Sequence, residues 1–174
     1  MQAADLPAQI NLNRLGREAR AYNGVISANN MQRLAELVGQ VGIISAQLQI
    51  DDCAEKPRLT GECEARVELI CERCLEPVSV DLHGELDALI IDRPEEVESI
   101  PMDQAVIIAP RGELDVTTLL EDELILALPV VPRHDDTECD GGQRHFGPPG
   151  EPLRQPDSPF TELNALKTSK RSEH

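Results

Sequence analysis

From Leu59 to Cys71 the chain alternates without a break. Leu59, Gly61, Cys63, Ala65, Val67, Leu69 and Cys71 hold one phase, while Arg58, Thr60, Glu62, Glu64, Arg66 and Glu68 hold the other. Successive side chains of an extended backbone point to opposite faces, so this order sets an apolar row against a core and a charged row in water. A helix would wrap both rows around its axis. The alternation resumes after Cys74-Leu75-Glu76-Pro77 through Val78, Val80 and Leu82, then Leu86, Ala88 and Ile90. Two long strands joined at Cys71 to Pro77 are therefore predicted, most simply as an antiparallel pair.

The flanking sequence supplies the other elements. Ile10 and Leu12 alternate with polar neighbours in a short strand that leads into a basic connection through Arg14, Arg17 and Arg20. Ser27 to Val38 reads as one amphipathic helix, with Met31, Leu34, Leu37 and Val38 at helical spacing and Gly39 as its C-terminal cap. Ile44, Ala46, Leu48 and Ile50 alternate as a further strand, and Ala105 to Ala109 suits a short buried one. Asp92 to Asp103 reads as an exposed acidic loop. Asp115 is placed to cap a second helix that carries Leu120, Leu124, Ala127 and Leu128 and ends at Pro129. Residues 129 to 160 hold seven of the 13 prolines and four of the 11 glycines, so a flexible tail is expected. The prediction is an α+β domain over residues 1–133, an antiparallel sheet, open or barrel-like, with two helices. Residues 134–174 follow as a disordered C-terminal tail, whose Phe160, Leu163 and Leu166 recur as a short terminal amphipathic segment.

Composition narrows the function classes. Against 16 Lys and Arg stand 32 Asp and Glu, a formal charge of -16, which repels phosphate at long range and opposes nonspecific nucleic-acid binding. Tyr22, Phe146 and Phe160 are too few aromatic rings for a base-stacking platform. No stretch reaches the roughly 20 apolar residues that span a bilayer, and Met1 to Ile10 lacks the basic and apolar regions of an export signal. The expectation is a cytoplasmic protein with no membrane or DNA partner. Charge is uneven, however: Arg14, Arg17, Arg20 and Arg33 outnumber the acids of the first 35 residues, so any phosphate contact belongs near the ends.

Cys71 and Cys74 form a C-x2-C at a strand turn, a spacing that lets two thiolates face one tetrahedral cation. His134 and Cys139 would complete a Cys3His set suited to a closed zinc site, which would fix the start of the tail. Cys71 also lies in phase with the buried face and suits a plain core position, as does Cys63. A redox reading of the pair would need a helix after the first thiol, whereas strands flank it here. Glu121, Asp122 and Glu123 are adjacent helical residues that point in different directions, so they read as an exposed acidic face or partner surface rather than an acid-base pair. Arg14, Arg17 and Arg20 can order RNA phosphates or pair with the acidic body. No phosphate loop or nucleophile elbow is present, and no constellation argues for an enzyme. A zinc-stabilised RNA-processing or redox enzyme is the competing class; it would need turnover that Cys71→Ser or Glu121→Gln abolishes.

The run Leu120-Glu121-Asp122-Glu123-Leu124-Ile125-Leu126-Ala127-Leu128-Pro129-Val130-Val131-Pro132-Arg133-His134-Asp135 closely resembles the signature of the YceD family, the large ribosomal RNA subunit accumulation proteins. Leu6-Pro7 with the basic segment through Tyr22-Asn23-Gly24, the Cys71-Glu72-Arg73-Cys74 turn, and Pro159-Phe160 to Leu166-Lys167 resemble the same family, in the same order. The resemblance implies a cytoplasmic bacterial protein, with relatives in plastids, needed for synthesis, processing or stability of large-subunit (23S) ribosomal RNA. It implies a ribosome-biogenesis role without established catalysis. Partners would be the large-subunit RNA precursor or a basic large-subunit assembly protein. Some relatives carry a Cys-rich cluster after the helix, where this chain has His134 and Cys139.

Overall fold

A computed structural model describes residues 5–15, 19–53, 56–135 and 139. The chain divides into two compact units, Met1–Asp140 and Gly141–His174, and all described residues belong to the first. Arg17 and the Phe160–Leu166 segment lie outside the described residues.

The alternating sequences form the longest strands, β3 (Gln40–Cys53), β4 (Lys56–Ile70) and β5 (Pro77–Ile91). With β2 (Arg20–Ile26) and β6 (Val106–Ile108) they make a five-stranded sheet in the order β2-β3-β4-β5-β6. Neighbours from β2 to β5 run antiparallel, and Leu59 of β4 faces Ala88 of β5 while Ile70 faces Pro77. Along β4, Leu59, Cys63, Ala65 and Val67 are buried, and Leu82, Leu86, Ala88 and Ile90 of β5 join them on the same face. On the other face, Arg58 forks onto Asp87 and Arg66 onto Asp81 across the strand pair, with a guanidinium-carboxylate contact of 2.6 Å in each case. Arg66 faces Asp81 directly and Arg58 reaches Asp87 on the diagonal, so opposite charges support the register from the solvent side.

The sheet is open, with β2 and β6 at its edges, so it does not close into a barrel. Strand β6 is the exception to the antiparallel pattern: Leu89 pairs with Val106 and Ile91 with Ile108 in parallel. The acidic connection from Asp92 to Asp103, which holds a 3-10 turn at Pro94–Ser99, carries the chain back far enough for that crossover. Residues 106–108 are half-buried or exposed because they lie on an edge.

Helix α1 (Gln32–Leu37) is shorter than Ser27 to Val38. A 3-10 turn at Ala28–Asn30 precedes it, and Met31 breaks the two apart at φ -117, ψ 72, with its side chain wholly buried. Gly39 does not cap the helix. Val38 is already extended, and the Gly39 N–H donates to Glu68 O as the chain enters β3. Two short strands, β1 (Gln9–Asn11) and β7 (Glu113–Asp115), pair separately. Helix α2 (Val116–Leu126) follows β7, capped by the Asp115 carboxylate, which accepts from the Thr118 N–H at 2.9 Å. Its buried Val116, Leu120 and Leu124 meet the inner face of the sheet. Gly84 makes that approach close: a Cβ there would lie 2.9 Å from Cys63 Sγ and 3.1 Å from Glu123 Cβ. Among the described residues no helix is long and apolar enough to cross a membrane.

Candidate metal centre

The turn between β4 and β5 is folded by its own backbone. Cys71 N–H donates to Glu76 O and Leu75 N–H donates to Cys71 O, both at 2.9 Å, which brings Cys71 and Cys74 onto one side of a tight knuckle. Closing it puts Leu75 at φ 66, in the left-handed region that glycine normally fills. The chain after α2 then crosses this knuckle, and Glu72 N–H donates to Pro132 O at 2.9 Å. That bond delivers His134, and Cys139 follows on a backbone bond from its N–H to Asp135 O at 3.1 Å.

The result is a compact donor set. The ligand atoms of Cys71, Cys74, His134 and Cys139 all lie within 4.8 Å of one another. Cys71 Sγ is 3.8 Å from Cys139 Sγ, and Cys74 Sγ is 3.4 Å from His134 Nδ1. A tetrahedron with metal-sulfur bonds of about 2.3 Å and a metal-nitrogen bond of about 2.0 Å has edges of about 3.8 Å and about 3.5 Å. The two distances match those edges, so the residues fit a single four-coordinate cation. The far ring nitrogen fits as well: His134 Nε2 is 2.9 Å from Pro77 O. A carbonyl only accepts, so Nε2 carries a proton, and Nδ1 is the ring atom turned toward Cys74, the side from which a metal-ligating imidazole binds.

Electrostatics point the same way. Burial pushes the Cys71 thiol up, but the N–H groups of Cys74, His134 and Arg73, with the His134 ring, outweigh it and bring the pKa down from 9.0 to about 5. The Glu76 N–H favours a Cys74 thiolate too, yet burial and the neighbouring Cys71 and Cys139 thiols prevail and raise its pKa. One negative charge is thus welcomed and a second resisted, a conflict that a bound cation would relieve. Beneath the donors, buried Cys71, Val78 and Cys139 form a small cluster of their own, with Leu69 and Val80 packed against it. Cys63 stands apart in the main core, where burial and then the Glu123 carboxylate push its thiol up to about 11. It is a packing residue. Strands on both sides of the Cys71–Cys74 turn leave no helix N-terminus to support a thioredoxin-like pair.

The acidic triplet is not the uniform exposed face that its sequence suggests. Glu121 is only 5% exposed. Its carboxylate accepts from the Leu34 N–H at 3.1 Å and from Arg33 at 2.9 Å, which locks α1 to α2. Asp122 is exposed and takes the other arm of the Arg33 guanidinium at 2.7 Å. Glu123 is half-buried over Gly84, and burial, then Asp122, raise its pKa. Arg33, missing from the candidates, had no signal in the sequence, because it meets Glu121 only after 88 residues of chain are folded between them. Arg14 ends the 3-10 turn Leu12–Arg14 and Arg20 begins β2. Both are exposed, and among the described residues neither pairs with a carboxylate.

A model of the family described as large ribosomal RNA subunit accumulation protein YceD matches residues 59–167, from β4 past the metal-ligand cluster. A protein of Haemophilus influenzae with that name is 31% identical over 173 residues, covering 96% of this chain and 99% of its own length. No solved structure matches.

Proposed function

The chain belongs to the YceD family of large ribosomal RNA subunit accumulation proteins, and on that premise we propose that it is a non-catalytic adaptor in large-subunit biogenesis, needed for normal levels of large-subunit ribosomal RNA. The observation that carries this reading is the extent of the likeness, 96% of the chain against a relative named for that role. The test is a strain lacking the protein. Large-subunit RNA should fall relative to small-subunit RNA and recover when the full chain is restored; an unchanged ratio would reject the reading.

In this reading the cation held by Cys71, Cys74, His134 and Cys139 is zinc. Three thiols and an imidazole favour zinc over hard cations, and four protein donors leave no position open for a reacting water. The role is therefore structural: the ion clamps the chain after α2 onto the knuckle. Elemental analysis of the purified protein should find zinc, and a chelator should lower its melting temperature. Metal-free protein with an unchanged melting temperature would remove this part.

Arg14, Arg17 and Arg20 face the phosphates of the RNA precursor. The exposure of Arg14 and Arg20, neither of which forms an ion pair among the described residues, supports phosphate contact over internal pairing. Crosslinking in cells should join this segment to large-subunit precursor RNA, and reversing the three arginines to Glu should abolish the adduct. Asp122 and the acidic 92–103 connection remain on the surface, where they favour a basic assembly protein over a second nucleic-acid contact.

A further inference from the structure

Large apolar side chains left in water gather around the knuckle. Ile70 is 55% exposed, Leu75 62%, Val130 96% and Val131 47%. They sit on two stretches of chain that are tied together: Leu75 bonds back to Cys71, next to Ile70, and Glu72 bonds to Pro132, next to Val131. Single exposed aliphatic residues are ordinary, and Ile43 and Met102 are examples elsewhere in the chain. Several on adjoining backbone mark an interaction surface.

Leu75 carries the argument further. Its φ of 66 is one that glycine adopts at least cost, and a knuckle needs only backbone at this position. The chain instead places a leucine there and leaves the side chain in solvent. Backbone strain and exposed apolar area thus coincide at one residue, whose side chain stays 62% exposed. Burial of the leucine against a partner would remove that exposure.

The chemistry of the surface selects the partner. Among the described residues it is aliphatic and holds no aromatic ring on which a base could stack, so a protein fits it better than single-stranded RNA. Exposed Glu72, Glu76 and Asp135 border it, outnumbering Arg73 and Arg133 of the same stretches, within a chain of net charge -16. The matching surface is aliphatic and flanked by lysine or arginine.

We propose that Ile70, Leu75, Val130 and Val131 form the docking surface for a basic protein of the assembling large subunit, bound through an aliphatic patch flanked by Lys or Arg. This rests on the adaptor reading and gives it an apolar protein-facing surface separate from the acidic 92–103 connection. A photo-crosslinking residue is placed at Leu75 or at Val131 of the full-length protein in cells, with fully exposed Met102 as the control position. Peptides from a large-subunit ribosomal or assembly protein, with aliphatic residues beside Lys or Arg, should be recovered roughly tenfold above the control. Leu75→Gly, probed from Val131, should lower that recovery roughly tenfold while the melting temperature holds or rises, because glycine removes the strain. Val130→Ser with Val131→Ser, probed from Leu75, should do the same from the other stretch. Adducts only to RNA, to another copy or within the chain itself overturn the proposal, as does full recovery in Leu75→Gly. Large-subunit RNA is scored in parallel. Normal RNA in a strain lacking the protein overturns the adaptor reading; depleted RNA there, with undiminished crosslinking by Leu75→Gly, overturns the docking surface alone.

Discussion

The main core and the knuckle end of the same sheet are held by different means. In the main core, α1, α2 and the inner faces of β2 to β5 bury a continuous set of aliphatic side chains, with Met31, Leu34, Leu120 and Leu124 wholly out of water. At the knuckle, the buried cluster is Cys71, Val78 and Cys139. Apolar area of that size cannot offset the entropy of fixing the chain from Pro132 to Asp135. Donor atoms take over where side-chain volume runs out. One sheet is thus held by the hydrophobic effect at its middle and, on the proposed zinc reading, by coordination at its end, so the two halves should respond to different insults.

The largest expected effect lies in the main core. Leu124→Ala should cost about 3 kcal/mol in denaturant unfolding, because helix and sheet cannot both collapse into the space it leaves. Added zinc should not restore it; restoration would mean that the two halves are one cooperative unit. Next comes the knuckle. Cys139→Ser should lower bound metal from about one ion per chain to almost none. Hydrogen exchange at Glu72 and Cys139 should quicken, while amides from Leu59 to Val67 stay protected. Loss of protection along all of β4 would break the comparison.

A smaller effect tests how the main core joins its helices. Glu121→Ala strands the Leu34 N–H and should cost about 2 kcal/mol, whereas Glu121→Gln keeps an acceptor and should cost about half of that. Arg33→Ala should fall below both, since half of that side chain is already in water. Equal losses for all three would show that the ion pair, not the buried acceptor, holds α1 to α2. The smallest effect is on the outer face. The Arg66 guanidinium holds the Asp81 carboxyl below its ordinary value of 3.8, and Arg58 does the same for Asp87. Stability from these pairs is present above that value and is lost as pH falls through the lower folded value. Asp81→Asn with Asp87→Asn should therefore make acid titration of stability slightly shallower below about pH 4, with little change at neutral pH.

What the sequence makes legible is what neighbours along the chain decide. Period-two alternation marked β3, β4 and β5, and Asp115 marked the start of α2, because strand facing and N-capping are settled within a few residues. The four candidate donors were legible by chemical type and half by spacing; the approach of Cys71 to Cys139 needed the chain to cross the knuckle. Elements decided by distant partners were misread. Glu121 turns inward because Arg33 and Leu34 wait for it, and Met31 interrupts a periodic helix because its side chain is drawn wholly into the core. The parallel pairing of β6 depends on how the acidic connection crosses, which hydropathy does not encode.

The length of β4 has one more consequence. Arg20 faces Ile50 and Ile50 faces Leu59, so the basic segment enters the sheet level with Leu59, while the knuckle begins after Ile70. Eleven residues of strand between those levels span roughly 37 Å at about 3.4 Å each. A paired sheet does not shorten or bend as a linker does, so the two levels stay at a fixed separation. On the proposed reading, an RNA contact at one level and a protein contact at the other are held at that spacing, each raising the effective concentration of the other.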